Sequence, residues 1–187
     1  MYQMDPGYRL LSELSIGILG LGDIGKEIAR ACKALGMRVW GVGRQEKQEK
    51  NPNVDHYRTL KCLPEVLQSC DYFCNVLPDT SATRNLLSGN TLECGKEKSP
   101  VFINLGRGNV IDEASLVNAL QKGWISGAIL DVFENEPLPK ESPLWDMPQV
   151  TITPHNAAVT YPYQVLYDCT ATLLQQVAIN DNVLKVT

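Results

Sequence analysis

A glycine-rich turn, Gly20-Leu21-Gly22-Asp23-Ile24-Gly25, lies between an apolar run and an amphipathic stretch, and this junction narrows the possible folds more than any other feature of the chain. The run before it, Ser15-Ile16-Gly17-Ile18-Leu19, reads as a buried strand closed by glycine. The stretch after it, residues 23–35, sets Ile24, Ile28, Ala31 and Leu35 at helical spacing, with Gly36 as its C-terminal stop. A strand that turns on glycines straight into a helix opens a β-α-β unit, and the remainder repeats that alternation. Strands are expected over residues 37–42, 72–77, 101–105, 128–132 and 150–153. A polar loop is expected over 47–53, a short helix over 62–69, a helix over 112–122 with Asp112 as N-cap, and a last helix over 160–179. Strands and helices in alternation form a parallel sheet covered on both faces, so the expected class is α/β, a Rossmann-like doubly wound, mostly parallel sheet.

Composition excludes several alternatives. The 187 residues are 44% apolar and 20% charged, enough to build a core and far from a disordered composition. A net charge of −4 argues against an electrostatic nucleic-acid binder, and no run approaches the roughly 20 apolar residues of a membrane span. The N-terminus shows no secretory signal. Cys32, Cys62, Cys70, Cys74, Cys94 and Cys169 contain no Cys-x-x-Cys pair, and neither histidine sits by a cysteine cluster. A disulfide framework and a metal site are therefore not expected, and a reducing, cytoplasmic location is.

The glycine turn suggests a ligand. Gly20 permits the tight turn, Gly22 lets backbone approach a pyrophosphate, and Gly25 lets the helix close on the strand. Asp23 and Ile24 begin the helix, whose N-terminal N–H groups and dipole favour phosphate. At the end of the second strand, where an NAD-binding domain usually carries an acid for the ribose hydroxyls, stand Gly43 and Arg44. Loss of the carboxylate removes repulsion against a 2′-phosphate, and a guanidinium can hold it bidentately. The expected cofactor is NADP, with NAD as the alternative.

Three further segments close strands: Asn104-Leu105-Gly106-Arg107-Gly108, Asp131 through Pro139, and Thr153-Pro154-His155-Asn156-Ala157-Ala158. Together with the glycine turn they resemble the D-isomer-specific 2-hydroxyacid dehydrogenases. The glyoxylate/hydroxypyruvate reductases are the nearest in pattern, through Glu136-Pro137-Leu138-Pro139, Ser142-Pro143-Leu144-Trp145 and Val150-Thr151-Ile152-Thr153-Pro154-His155. The resemblance implies a catalytic trio. Arg107 would bind the substrate carboxylate, His155 would protonate the 2-oxo oxygen, and Glu136 would orient the imidazole and favour its charged form. It further implies that Leu77, Pro78 and Thr83 lie along the nicotinamide side, that Leu105, Gly106 and Arg107 flank its ribose, that Asp131 meets its carboxamide, and that Ala157 stands close behind His155.

The resemblance also implies a second, substrate-holding domain and a homodimer through the cofactor domain. Residues 15–180 are expected to form the dinucleotide-binding domain, 1–14 an incoming hinge and 181–187 a tail, with the substrate domain absent. A chain so composed is expected to bind cofactor and to reduce small 2-oxo acids weakly or not at all. The competing reading is a non-catalytic dinucleotide-binding sensor or interaction protein on the same fold.

Overall fold

In the computed structural model, which describes residues 9–43 and 51–157, β1 (Ser15–Leu19) is buried at every position. That burial follows from its place, paired in parallel with β2 (Arg38–Gly43) on one side and β4 (Tyr72–Asn75) on the other. The full sheet adds β3 (His56–Thr59), β5 (Val101–Asn104), β6 (Gly127–Leu130) and β7 (Val150–Ile152), all parallel, in the order β3-β2-β1-β4-β5-β6-β7. Side chains alternate between two apolar layers. Helices α2 (Leu63–Ser69) and α3 (Glu113–Gln121) pack with Leu19, Phe73, Phe102 and Ala128. Helix α1 (Asp23–Ala34) packs with Ile16, Ile18, Val39, Cys74 and Ile103. Asp112 caps α3 as expected, accepting a hydrogen bond from Ser115 N at 2.8 Å.

Several expectations need correction, among them the strand expected over 128–132, which runs Gly127–Leu130. Helix α1 buries Gly25, Ile28, Ala29 and Cys32, while Ile24 and Leu35 are 51% and 38% exposed. The helix meets the strand through Gly25, where an added Cβ would stand 1.9 Å from the Gly20 carbonyl oxygen. That contact centres the buried stripe on positions 25, 28, 29 and 32, rotated from the stripe that hydrophobicity alone suggests. Strand β3 was not expected at all. It is a half-buried edge strand of sequence HYRT, without an apolar run to announce it. The strand expected over 72–77 ends at Asn75, and Val76 and Leu77 leave the sheet to line a cleft. The 160–179 helix, the 181–187 tail, Arg44 and Cys169 lie outside the described residues, as does most of the 47–53 loop.

At the amino edge of the sheet the Asp71 carboxylate, 9% exposed, accepts hydrogen bonds from Ser15 N (2.8 Å) and Ser15 Oγ (2.7 Å) and pairs with Arg9 and Lys98, each at 2.7 Å. Burial alone would raise its pKa; Lys98, Ser15 and Arg9 outweigh burial and bring it down to about 2.

Candidate active site

The strand order reverses between β1 and β4, and there the carboxyl ends of the strands open onto a cleft of about 400 Å³. Such a switch point is where open parallel sheets hold ligands. Gly20, Gly22, Gly43, Leu77, Pro78 and Thr83 all line it. The three glycines of the turn do three different things. Gly20 adopts φ +107°, Gly22 has nothing within 4 Å of where a Cβ would be, and Gly25 is pressed against Gly20. Asp23 and Ile24 form the first turn of α1, whose leading N–H groups lack partners within the helix. A bare backbone at Gly22 beside a twelve-residue helix N-terminus fits a pyrophosphate. Thr83 Oγ1 donates to Pro78 O at 2.7 Å and accepts from Thr80 N at 2.9 Å, closing the loop on the far wall.

The second half of the site lies beyond β5 and β6. Arg107 is exposed and extended (φ −143°, ψ 144°), and its Nη1 donates to Gly106 O at 2.7 Å. Leu105 and buried Gly106 precede it in the same turn. Glu136 Oε1 accepts from Phe133 N at 2.9 Å, and Oε2 lies 2.6 Å from His155 Nδ1. With a carboxylate as acceptor, Nδ1 carries the proton and Nε2 is the nitrogen left to face a substrate. Partial burial raises the pKa of Glu136, but the His155 contact, the Phe133 amide and the charges of His155 and Arg107 hold it below its usual value. Arg107, Glu136 and His155 thus belong to one electrostatic neighbourhood. Glu136 and His155 also border an apolar cavity of about 580 Å³ that includes Phe133, Leu138 and the half-exposed Trp145.

His155 adopts φ +50°, a left-handed conformation uncommon for a side chain with a Cβ. The cause is visible in Asp131, which is 2% exposed. Its carboxylate accepts from Thr153 Oγ1 (2.5 Å), Asn156 N (3.0 Å) and Ala157 N (3.1 Å), fixing the backbone on both sides of His155. The structure therefore gives Asp131 and Ala157 a tethering task that their spacing did not reveal. Also missed were Leu60, at the start of a 3-10 turn, and Val76, just past β4, which line the cleft, and the amides of Asn75 and Asn104, buried where two strands end. The sequence signal that marks the latter pair is an asparagine inside each of two expected apolar strands, 72–77 and 101–105. Among the described residues no group of three His, Cys, Asp or Glu side chains could hold a metal ion, and no helix is long and apolar enough to cross a membrane. Cys32, Cys62, Cys70, Cys74 and Cys94 are free thiols.

The family model for the NAD-binding domain of D-isomer specific 2-hydroxyacid dehydrogenases matches residues 2–157. Glyoxylate/hydroxypyruvate reductase A of Klebsiella pneumoniae (strain 342) is 38% identical over 167 residues, which are 88% of this chain and 52% of that protein. The same enzyme of Salmonella newport (strain SL254) is 38% identical over 165 residues, 87% of this chain and 51% of that protein. The chain thus spans about half the length of the curated relatives it matches. Among solved structures, the D-isomer specific 2-hydroxyacid dehydrogenase of Xanthobacter autotrophicus Py2 in complex with NADPH and MES superposes with a TM-score of 0.78 at 35% identity, covering 97% of this chain and 72% of that one. The NADPH-dependent glyoxylate/hydroxypyruvate reductase of Sinorhizobium meliloti, in apo form, gives 0.77 at 35% identity, covering 85% and 80%.

Proposed function

The chain belongs to the D-isomer specific 2-hydroxyacid dehydrogenases, whose NAD-binding domain it carries, and on that premise we propose that it is the NADP(H)-binding core of a reductase converting small 2-oxo acids of the glyoxylate/hydroxypyruvate type to D-2-hydroxy acids. The observation that carries this reading is the 2.6 Å contact between Glu136 and His155 at the same sheet edge as the glycine cleft. NADP(H), when bound, supplies the hydride, so the protein contributes position and electrostatics. Gly20, Gly22 and the first turn of α1 would hold the pyrophosphate, and Gly43 with Arg44 the 2′-phosphate. Leu77, Pro78, Thr83, Leu105 and Gly106 would line the nicotinamide end, with Asp131 and Ala157 behind it.

The acid–base steps fall to this chain's own side chains. Arg107 binds the substrate carboxylate through paired N–H donors and polarises the neighbouring 2-oxo group. His155 donates the Nε2 proton to the oxygen of that group. Glu136 accepts from Nδ1, fixes the ring plane and stabilises the imidazolium from which the proton leaves. The preference for NADP is supported by the absence of a carboxylate at Gly43 and by the NADPH named with the related structures. We read residues 15–180 as the dinucleotide-binding domain of a cytoplasmic homodimer, a reading supported by the buried free thiols and by the family resemblance.

Calorimetric titration of the purified chain with NADPH and NADH in parallel tests the reading. Tighter binding of NADPH is the expected result. Preference for NADH would overturn the NADP assignment, and binding of neither would overturn the reductase core in favour of a protein that uses the fold for interaction. Addition of glyoxylate or hydroxypyruvate to the NADPH-loaded chain, followed at the nicotinamide absorbance, then asks how much turnover this chain supports.

A further inference from the structure

Asn75 and Asn104 close adjacent parallel strands at the same register, and their side chains are 0% and 1% exposed. Two buried primary amides are costly unless their hydrogen-bonding groups find partners, and two apolar residues would fill the space with less risk. These amides are engaged, and their partners lie in the two functional loops. Asn75 Oδ1 accepts from Leu77 N (3.2 Å), and Asn75 Nδ2 donates to Asn104 Oδ1 (2.8 Å). Asn104 Oδ1 also accepts from Gly106 N (3.2 Å), while Asn104 Nδ2 donates to Arg107 O (3.2 Å).

Only one orientation of the pair satisfies this set. Leu77 N and Gly106 N can only donate, and Arg107 O can only accept. Each amide is thereby oriented by a backbone group, and turning either one over would set like against like. The backbone is also tight at this point. A Cβ added to Gly106 would come within 2.7 Å of both Asn75 Nδ2 and Leu77 O. Nothing in this arrangement serves the sheet ladder, which is complete without it.

We propose that the Asn75–Asn104 amide pair is the positioning element for Arg107, locking the turn that carries the guanidinium to the loop that lines the dinucleotide cleft. The inference rests on the reading of Arg107 as the carboxylate-binding residue. It makes the spacing between bound cofactor and bound carboxylate a property of two buried side chains that touch neither. Both are positioning residues and act through Arg107.

The test uses the whole chain loaded with NADPH, and oxalate as a two-carbon carboxylate probe. Asn75→Ala removes the link from the far strand and leaves Asn104 its bonds to Gly106 and Arg107. Asn75→Asp keeps the shape and the acceptor for Leu77 N but loses the donor toward Asn104. Both are expected to leave NADPH affinity within about threefold of the unsubstituted chain and to weaken oxalate about tenfold or more. Amide exchange at Gly106 is expected to quicken although its own acceptor is intact. Unchanged oxalate affinity, or equal losses for oxalate and NADPH, overturns the proposal. In the unsubstituted chain, oxalate is expected to slow exchange at Gly106 and, through the pair, at Leu77; slowing at Gly106 alone also overturns it, and that measurement needs no variant to fold. Failure of the reading beneath it looks different. There the unsubstituted chain binds NADPH but not oxalate, or Arg107→Ala binds oxalate as before.

Discussion

The two edges of the sheet handle polar groups in opposite ways. At the amino edge, Asp71 is surrounded by Ser15, Arg9 and Lys98, and its charge is matched by groups of the protein itself. At the carboxyl edge, Arg107, Glu136 and His155 are exposed, Gly22 faces open space, and His155 is held in a conformation it would not choose alone. Buried charge that is fully partnered acts on the stability of the folded state. Polar groups left half-partnered on a rigid frame contribute little to stability and remain available for a ligand. One sheet can therefore be stabilised at one edge and reactive at the other, provided the polar groups of each edge do not depend on the other.

Substitutions can break that separation or sharpen it. Gly25→Val should have the largest effect, because a Cβ 1.9 Å from a carbonyl oxygen forces the turn and α1 apart. NADPH affinity is expected to fall about a hundredfold or more by calorimetry, with a stability loss of about 3 kcal/mol in urea melts. Asp71→Ala should cost about 3 kcal/mol by the same melts, since it removes a buried carboxylate that bonds Ser15 and pairs with Arg9 and Lys98, yet leave NADPH affinity unchanged. A large change in affinity would show that the two edges are coupled.

Acid gives the intermediate effect. The folded Asp71 titrates at about 2, below its ordinary value of 3.8. Its contribution is therefore complete above the ordinary carboxylate range and fades as pH falls from about 4 toward 2, with about 2 kcal/mol at stake. Asp71→Ala should lack that portion of the pH slope in urea melts. His155→Ala should have the smallest effect on the fold, within about 0.5 kcal/mol by thermal melting, because the side chain is exposed and its loop is tied through Asp131.

Legibility in the sequence followed the same division. The glycine turn and the strands around it were readable because they form a short local pattern, whereas Arg107, Glu136 and His155 were singled out only through the family resemblance that their strand-end segments carry together. The face of α1 was not, because it is set by where Gly25 meets the sheet, and Ile24 carries no sign that it will point outward. Strand β3 was hidden by its composition: His56, Tyr57, Arg58 and Thr59 pair with β2 on one edge only, and all four stay half-buried. The Asp71 cluster joins positions 9, 15, 71 and 98, and no spacing rule links residues so far apart. Asp131 could be read as a site residue, but its bonds to Thr153, Asn156 and Ala157 required the fold.

The turn that carries Arg107 has a consequence for how such a protein can change over generations. Gly106 is confined by Asn75 and Leu77, and a Cβ on Gly108 would fall 1.8 Å from the backbone carbon of Phe133. Arg107, between them, is extended and exposed, so the backbone there accepts any side chain but proline. Selection can exchange the reactive group without disturbing the frame, while a mutation one position to either side destroys the frame before any new chemistry can be tried. Descendants of this chain that acquire a different substrate should differ at position 107 far more readily than at 106 or 108, and a library randomised at all three positions should return glycine at the outer two among every variant that folds.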